Sequence, residues 1–248
     1  MNKKAAQLRD LHVPGTPLLL PNAWDAASAK LVAAAGFPVV ATGSAAVAES
    51  LGYPDEEGAP PAEMFAAAGR IVRAVDVPVT VDVEAGYGLA PAELADRLAE
   101  AGAAGCNLED TDHSGGGLVD LDRQASRVAE LRTADADLVI NARVDVFVRA
   151  EDHRAVLQDG VARAQAYLAA GADCVYPILI GGADLLAEFV DAVRPNAVNA
   201  VYLPGGPDLA ALATLGVARI SLGPGLFRTA QSYVEKVLGR LAAGEPPY

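Results

Sequence analysis

Along the chain, Ala-rich stretches with apolar residues at helical spacing alternate with short β-branched runs that end in polar residues. The runs predict strands over Leu18–Pro21, Val39–Thr42, Val77–Val83, Cys106–Glu109, Leu138–Ala142, Cys174–Ile178, Val198–Leu203 and Arg219–Leu222. Helices are predicted over Asp25–Ala35, Pro61–Ala74, Pro91–Ala101, Asp122–Leu131, Arg154–Ala170, Ala183–Val193, Asp208–Leu215 and about Leu226–Leu241. Pro61 and Pro91 stand where a first helical turn tolerates a missing donor. Gly36, Gly102, Gly171 and Gly216 stand where a helix end wants a left-handed residue.

The strand runs are continuously apolar more than alternating, as strands covered on both faces should be, and helical crossovers join parallel neighbours. Eight such units in 248 residues predict one α/β domain over 1–248, a (β/α)8 TIM-type barrel. The rival, an open doubly wound sheet, would carry a Gly-rich fingerprint after its first strand; Pro21-Asn22-Ala23-Trp24-Asp25 is unlike one. Two connections are long enough to act as lids, Gly43 to Pro60 and Asp110 to Leu121.

Composition fits a compact domain, with 52% hydrophobic and 21% charged residues, so long disordered tails are not expected. The net charge of −13 and the lack of a basic run argue against nucleic-acid and anionic-membrane partners. No apolar stretch reads as a bilayer span and no secretory signal is visible, so the expected location is the cytoplasm. Cys106 and Cys174 lack metal-site or disulfide spacing and read as apolar strand fillers.

A barrel gathers its chemistry at the C-terminal edge of its strands. There Asn22, Trp24 and Asp25 follow the first strand, and Gly43, Ser44 and Ala45 the second. Asp82 and Glu84 close the third, Glu109 and Asp110 the fourth, Arg143 and Asp145 the fifth. Carboxylates about 5 Å apart repel by ~3 kcal/mol at an effective dielectric near 20. A divalent cation would offset this, and an all-oxygen donor set points to Mg2+, with Mn2+ next. Asp82, Glu84 and Glu109 are the candidate ligands, direct or through water; the competing reading makes them helix caps and loop acids. Arg143 could hold a carboxylate bidentately, with Ser44 and the amides beside Gly43 on its other side, or could serve only as partner to the neighbouring acids. Trp24 could wall the pocket or simply pack on the barrel. Tyr176, Asn199 and Tyr202 are weaker pocket candidates, and the turns Pro204–Pro207 and Gly223–Gly225 are weak phosphate signals. No serine-hydrolase motif accompanies His12, His113 or His153, and His113, in the long loop, is the histidine to test.

The runs Pro21-Asn22-Ala23-Trp24-Asp25, Ala41-Thr42-Gly43-Ser44-Ala45, Leu51-Gly52-Tyr53-Pro54-Asp55, Asp82-Val83-Glu84-Ala85-Gly86-Tyr87-Gly88, Asn107-Leu108-Glu109-Asp110 and Asn141-Ala142-Arg143-Val144-Asp145 together resemble the isocitrate lyase and phosphoenolpyruvate mutase superfamily. The resemblance runs from about Leu18 through Pro224. It implies a modified barrel, usually tetrameric or otherwise homo-oligomeric, with a C-terminal helix exchanged between subunits. It also implies Mg2+ and a small anionic 2-oxo acid. By motif match, Ser44, its adjacent amides (Gly43, Ala45) and Arg143 would hold the pyruvyl carboxylate. Asp82 would lie nearest the metal, Glu84 and Glu109 would bind through its waters, Asp55 would approach the same centre, and Trp24 would line the pocket.

The sequence departs from that pattern after the fourth strand. Isocitrate and methylisocitrate lyases carry a Lys-Lys/Arg-Cys-Gly-His gate there, and the phosphonate-forming mutases a Glu-Asp-Lys with Asn-Ser. Here the segment is Glu109-Asp110-Thr111-Asp112-His113-Ser114-Gly115-Gly116-Gly117, with neither Lys nor Cys. The expectation is a Mg2+-dependent carbon–carbon lyase acting on a small 2-hydroxy or 2-oxo di- or tricarboxylate through a metal-stabilised enolate. An oxaloacetate-type decarboxylase or hydrolase, with His113 or a water as proton donor, is the alternative. A non-catalytic 2-oxo acid binding protein is the third reading.

Overall fold

The computed structural model describes residues 2–248. Among these, nine strands form one all-parallel sheet: β1 (Leu18–Leu20), β2 (Asn22–Ala23), β3 (Val40–Thr42), β4 (Val79–Asp82), β5 (Gly105–Leu108), β6 (Val139–Arg143), β7 (Cys174–Tyr176), β8 (Ala197–Val201) and β9 (Arg219–Ser221). Leu18 pairs with Arg219 at one side and Asn22 with Ala41 at the other, so β1 and β2 together are the strand that closes the barrel.

The single first strand expected over Leu18–Pro21 is thus corrected to two, broken at Pro21, whose nitrogen has no hydrogen to give a ladder. Asn22 bridges the break: its Nδ2 donates to the Thr42 carbonyl at 2.9 Å, and its Oδ1 accepts from the Leu222 amide at 3.0 Å. One side chain therefore ties the first, second and last strands together.

The helices are α1 (Lys3–Asp10), α2 (Ala26–Ala34), α3 (Ser44–Leu51), α4 (Pro61–Arg73), α5 (Pro91–Ala101), α6 (Leu121–Ala134), α7 (Val146–Arg149), α8 (Leu157–Ala169), α9 (Ala183–Val193), α10 (Leu209–Thr214) and α11 (Gly225–Ala242). Three of them, α1, α3 and α7, lie outside the predicted helices. The loop expected from Gly43 to Pro60 is half helix: Gly43 is the N-cap of α3 and Gly52, at φ 90°, ends it. The second long connection is a short hairpin, in which Thr111 pairs with Leu118 and the Asp112 amide donates to the Gly117 carbonyl.

Alternate strand residues divide the core. Val79, Val81, Cys106, Leu108, Ile140, Ala142, Val175, Val198 and Ile220 join the buried apolar layer beneath the helices, each removing roughly 1.5–3 kcal/mol of side-chain hydration when large. The intervening positions bond to one another: Asn141 Nδ2 donates to Asn107 Oδ1 at 2.9 Å, and Arg219 Nη2, from the far side of the barrel, donates to the same oxygen at 2.9 Å. Both cysteines are free and buried in strands, as expected of fillers.

Candidate active site

The C-terminal edges of β4, β5 and β6 place their polar ends around one cavity of about 430 Å³. Its wall includes Ser44, Asp55, Glu84, Glu109, His113 and Arg143. Six of the residues singled out from sequence are therefore brought together. Asp82 ends β4 two residues before Glu84, and its Oδ1 accepts the Glu84 amide at 3.1 Å.

Glu84 sits at φ 49°, a left-handed conformation that costs a residue with a Cβ about 1–2 kcal/mol. It is held there from the loop after α3: the Glu57 amide donates to Glu84 Oε2 at 2.5 Å, and Glu57 Oε1 accepts the Tyr87 amide at 2.5 Å. Glu57 and Tyr87 also have positive φ, at 59° and 56°. The other Glu84 oxygen, Oε1, is buried and makes no hydrogen bond of normal geometry, with the equally unpaired Tyr87 hydroxyl close to the same carboxylate. Burial, reinforced by Asp82, Asp55 and Glu109, pushes the Glu84 carboxyl up to about 7 against the pull of the Glu57 amide. Burial also raises Asp82, with the Arg143 charge opposing.

Arg143 has its guanidinium committed on both edges. Nε and Nη2 donate to Asp145 Oδ1 and Oδ2 at 3.0 and 2.8 Å, a bidentate pair, and Nη1 meets Glu109 Oε2. Burial alone would lower its pKa, but Asp145 and Glu109 outweigh that and raise it. The other Glu109 oxygen is bonded to His113 Nε2. Burial raises Glu109, while the bond to Glu109 raises His113, so the pair holds a proton between a buried carboxylate and the loop imidazole.

Sequence places Asp110 and Asp145 at the rim and offers the neighbouring acids as partners of Arg143, but it does not show the network that supports this layer. Asp145 is fully buried and accepts from Thr111 Oγ1 at 2.6 Å, and its amide donates to Asp110 Oδ1 at 2.8 Å. Asp110 Oδ2 then accepts from Tyr167 Oη at 2.6 Å and Arg163 Nη1 at 3.0 Å, both on α8. Within α8, Arg163 and Tyr167 are one turn apart and look like ordinary helix positions; nothing local marks them. Gln124 Nε2 on α6 donates to the Glu109 carbonyl at 3.0 Å, so the Glu109 backbone is fixed as well.

Other expected residues lie elsewhere. Trp24 packs edge-on against Phe227, ring centres 5.2 Å apart, and lines a separate apolar hollow between α2 and α11. Gly43 and Ala45 flank Ser44 at the start of α3 but do not line the carboxylate cavity. Tyr176 is buried in β7, Asn199 Nδ2 is spent on Ser221 Oγ at 3.1 Å, and Tyr202 is exposed. His12 and His153 bond to the Leu8 carbonyl and the Gly181 amide, and neither lines the cavity.

Among the described residues, no three His, Cys, Asp or Glu side chains converge closely enough to cage an ion by themselves. Apart from the His113 imidazole, which is bonded to Glu109, the donors present are all oxygen, and the buried Glu84 Oε1 lacks a partner. That set fits a hard cation that keeps much of its own water, the habit of Mg2+. No helix among the described residues is long and apolar enough to cross a membrane.

Against known proteins, the phosphoenolpyruvate phosphomutase family model matches residues 8–242. A solved structure from Burkholderia cenocepacia J2315 superposes with a TM-score of 0.90 at 44% identity, covering 96% of this chain and 100% of that one. The 2-methylisocitrate lyase of Bacillus subtilis (strain 168) is 30% identical, over 76% of this chain and 64% of its own length. The oxaloacetate decarboxylase of Pseudomonas savastanoi pv. phaseolicola is 32% identical, over 78% of this chain and 69% of its own.

Proposed function

We propose, from the premise that the chain belongs to the phosphoenolpyruvate phosphomutase family of the isocitrate lyase superfamily, that it is a Mg2+-dependent lyase. It cleaves a bond beside the oxo or hydroxyl carbon of a small 2-oxo or 2-hydroxy di- or tricarboxylic acid. The observation that carries this reading is the buried, unpartnered Glu84 Oε1 beside Asp82, in the cavity that Arg143 and Ser44 share.

Asp82, Glu84 and Glu109 would hold the cation, directly or through water, and Mn2+ would substitute for Mg2+. When bound, it supplies positive charge that offsets these acids and polarises the substrate. Arg143 binds the substrate carboxylate by releasing Nη1 from Glu109 while Asp145 keeps the guanidinium plane fixed. Ser44, the first residue of α3 and part of the cavity wall, would hold the same carboxylate. Bond cleavage leaves an electron pair that needs a proton, and His113, raised by Glu109, holds one at Nε2. Asp55, exposed at the cavity mouth, is placed to take the proton of a substrate hydroxyl. The hairpin from Thr111 to Leu118 contributes Thr111 and His113 to the cavity wall.

Decarboxylation of an oxaloacetate-like acid is the second reading. It is favoured by the absence of Lys and Cys in that hairpin, because loss of carbon dioxide needs only one proton returned, which His113 can supply. Assays over a panel of such acids for Mg2+-dependent release of pyruvate, glyoxylate and carbon dioxide separate the two readings by product. Asp82→Ala and Arg143→Ala should both abolish turnover. Oxalate and Mn2+ binding with no turnover of any acid would instead support a binding protein.

A further inference from the structure

Beside the acid-lined cavity lies a second one of about 420 Å³, sharing Thr111 and His113 as a common wall. Its floor comes from α6, which contributes Arg123, Ser126, Arg127 and Glu130. Arg123 and Arg127 are one turn apart on one helix face, an arrangement of like charges that is unfavourable without a counter-ion.

Arg127 is half-buried, and it reaches inward because Gly86 leaves room: a Cβ on Gly86 would stand 2.5 Å from Arg127 Nη2. Every other buried or half-buried arginine is bonded. Arg9 and Arg132 pair with Asp173, Arg143 with Asp145, Arg163 with Asp110, Arg240 with Glu245, and Arg219 bonds to Asn107. Among the described residues, the Arg127 side chain has neither an ion pair nor a hydrogen bond, in a chain where acids outnumber bases 32 to 19.

Three carboxylates share the wall, Glu57, Asp112 and Glu130, and none forms an ion pair with Arg123 or Arg127. Asp112 Oδ1 accepts from the Ser114 and Gly115 amides and from Ser114 Oγ, Glu57 Oε1 accepts the Tyr87 amide, and Glu57 reaches Arg127 only through its longer-range charge. A partly desolvated guanidinium with five unused donors, next to a second arginine and a serine hydroxyl, has the chemistry of a carboxylate or phosphate clamp.

We propose that this pocket is an oxyanion site: Arg127, helped by Arg123, binds a carboxylate or phosphate group behind the hairpin that carries His113. The anion is either a free small molecule or the far end of a substrate that extends past His113. Bound there, it braces α6 against the hairpin and so fixes the position of His113 against Glu109.

Isothermal titration with inorganic phosphate tests this directly, on the full chain, without knowledge of the substrate. Phosphate should bind saturably to the wild-type protein. Arg127→Met should weaken it at least about tenfold, Arg127→Lys should restore part, and Arg123→Met should weaken it less. Unchanged thermal midpoints check that each variant folds. Repeating the titration with oxalate present identifies the source: phosphate displaced by oxalate marks a substrate subsite, and phosphate bound alongside oxalate marks a separate anion, and either supports the pocket. Absence of phosphate binding in the wild type, or equal binding in Arg127→Met, overturns it.

Discussion

Glu57 and Glu84 hold one another across two loops: the Glu57 amide donates to Glu84 Oε2 at 2.5 Å, and both residues sit in the left-handed region, at φ 59° and 49°. The Glu57 carboxylate completes the clasp on the Tyr87 amide. Such strain persists only where surrounding bonds over-determine it. The clasp leaves Glu84 Oε1 as the one oxygen still available.

Glu57→Gly separates the clasp from the strain. Glycine adopts the positive φ freely and keeps the amide, but loses the tether to Tyr87, so a gain of about 1 kcal/mol offsets a lost hydrogen bond of similar size. The thermal midpoint should therefore move by only a few degrees. Mn2+ affinity, followed by electron paramagnetic resonance, should fall roughly tenfold, a loss of about 1.4 kcal/mol. Glu57→Gln, which keeps an acceptor, should retain most of it. Equal Mn2+ affinity in all three proteins would reduce Glu57 to a loop residue.

How much of this was legible beforehand differs from residue to residue. Strands such as Val139–Arg143 show themselves because both faces are covered and every position but the last is buried. The rim acids follow from strand ends alone. Helix α3 escaped because Ser44-Ala45-Ala46-Val47-Ala48 is buried nearly all round and has no polar face to set a period. Pairings such as Asp110 with Tyr167 span 57 residues, and no local pattern encodes a partner at that distance.

Asp110→Asn should be the costliest conservative change near the site. Asp110 is fully buried and serves Tyr167, Arg163 and the Asp145 amide, so neutralising it leaves Arg163 short of its buried counter-charge. Chemical denaturation should show a loss of about 3 kcal/mol or more. Tyr167→Phe, which removes one hydroxyl and adds no unpaired charge, should cost about 1–2 kcal/mol. A reversed order would mean that the aspartate is already neutral in the fold.

Two buried groups give opposite pH signatures. Burial, with Arg219 adding to it, holds His12 down at about 4. A base with a depressed folded pKa gives stability that is present above its unfolded value near 6.5 and lost as pH falls toward 4. Wild type should therefore lose about 3 kcal/mol relative to His12→Gln across that window. Glu84, raised to about 7, runs the other way. Its contribution is present below its unfolded value near 4.5 and lost as pH rises through 7, so wild type should fall behind Glu84→Gln by about 3 kcal/mol on that rise. Saturating Mg2+ should erase the Glu84 difference and leave that of His12 untouched. A Glu84 difference indifferent to Mg2+ would remove Glu84 from the candidate ligands.

Val234, Leu238 and Leu241 lie at i, i+4 and i+7 on α11, on one stripe, and are 49%, 58% and 49% exposed in the single chain, with Tyr233 at 61%. Of this helix only Phe227 is buried, through its contact with Trp24. An 18-residue helix anchored at one end, with an apolar stripe facing water, is better satisfied against another copy, in keeping with the homo-oligomer expected from sequence. Light scattering should give a mass that is a multiple of 25.4 kDa. Leu238→Glu should reduce it to one chain while circular dichroism keeps the helical signal, because the substituted position makes no core contact within its own subunit. A wild-type mass near 25.4 kDa would remove the oligomer and, with it, any exchange of α11 between subunits.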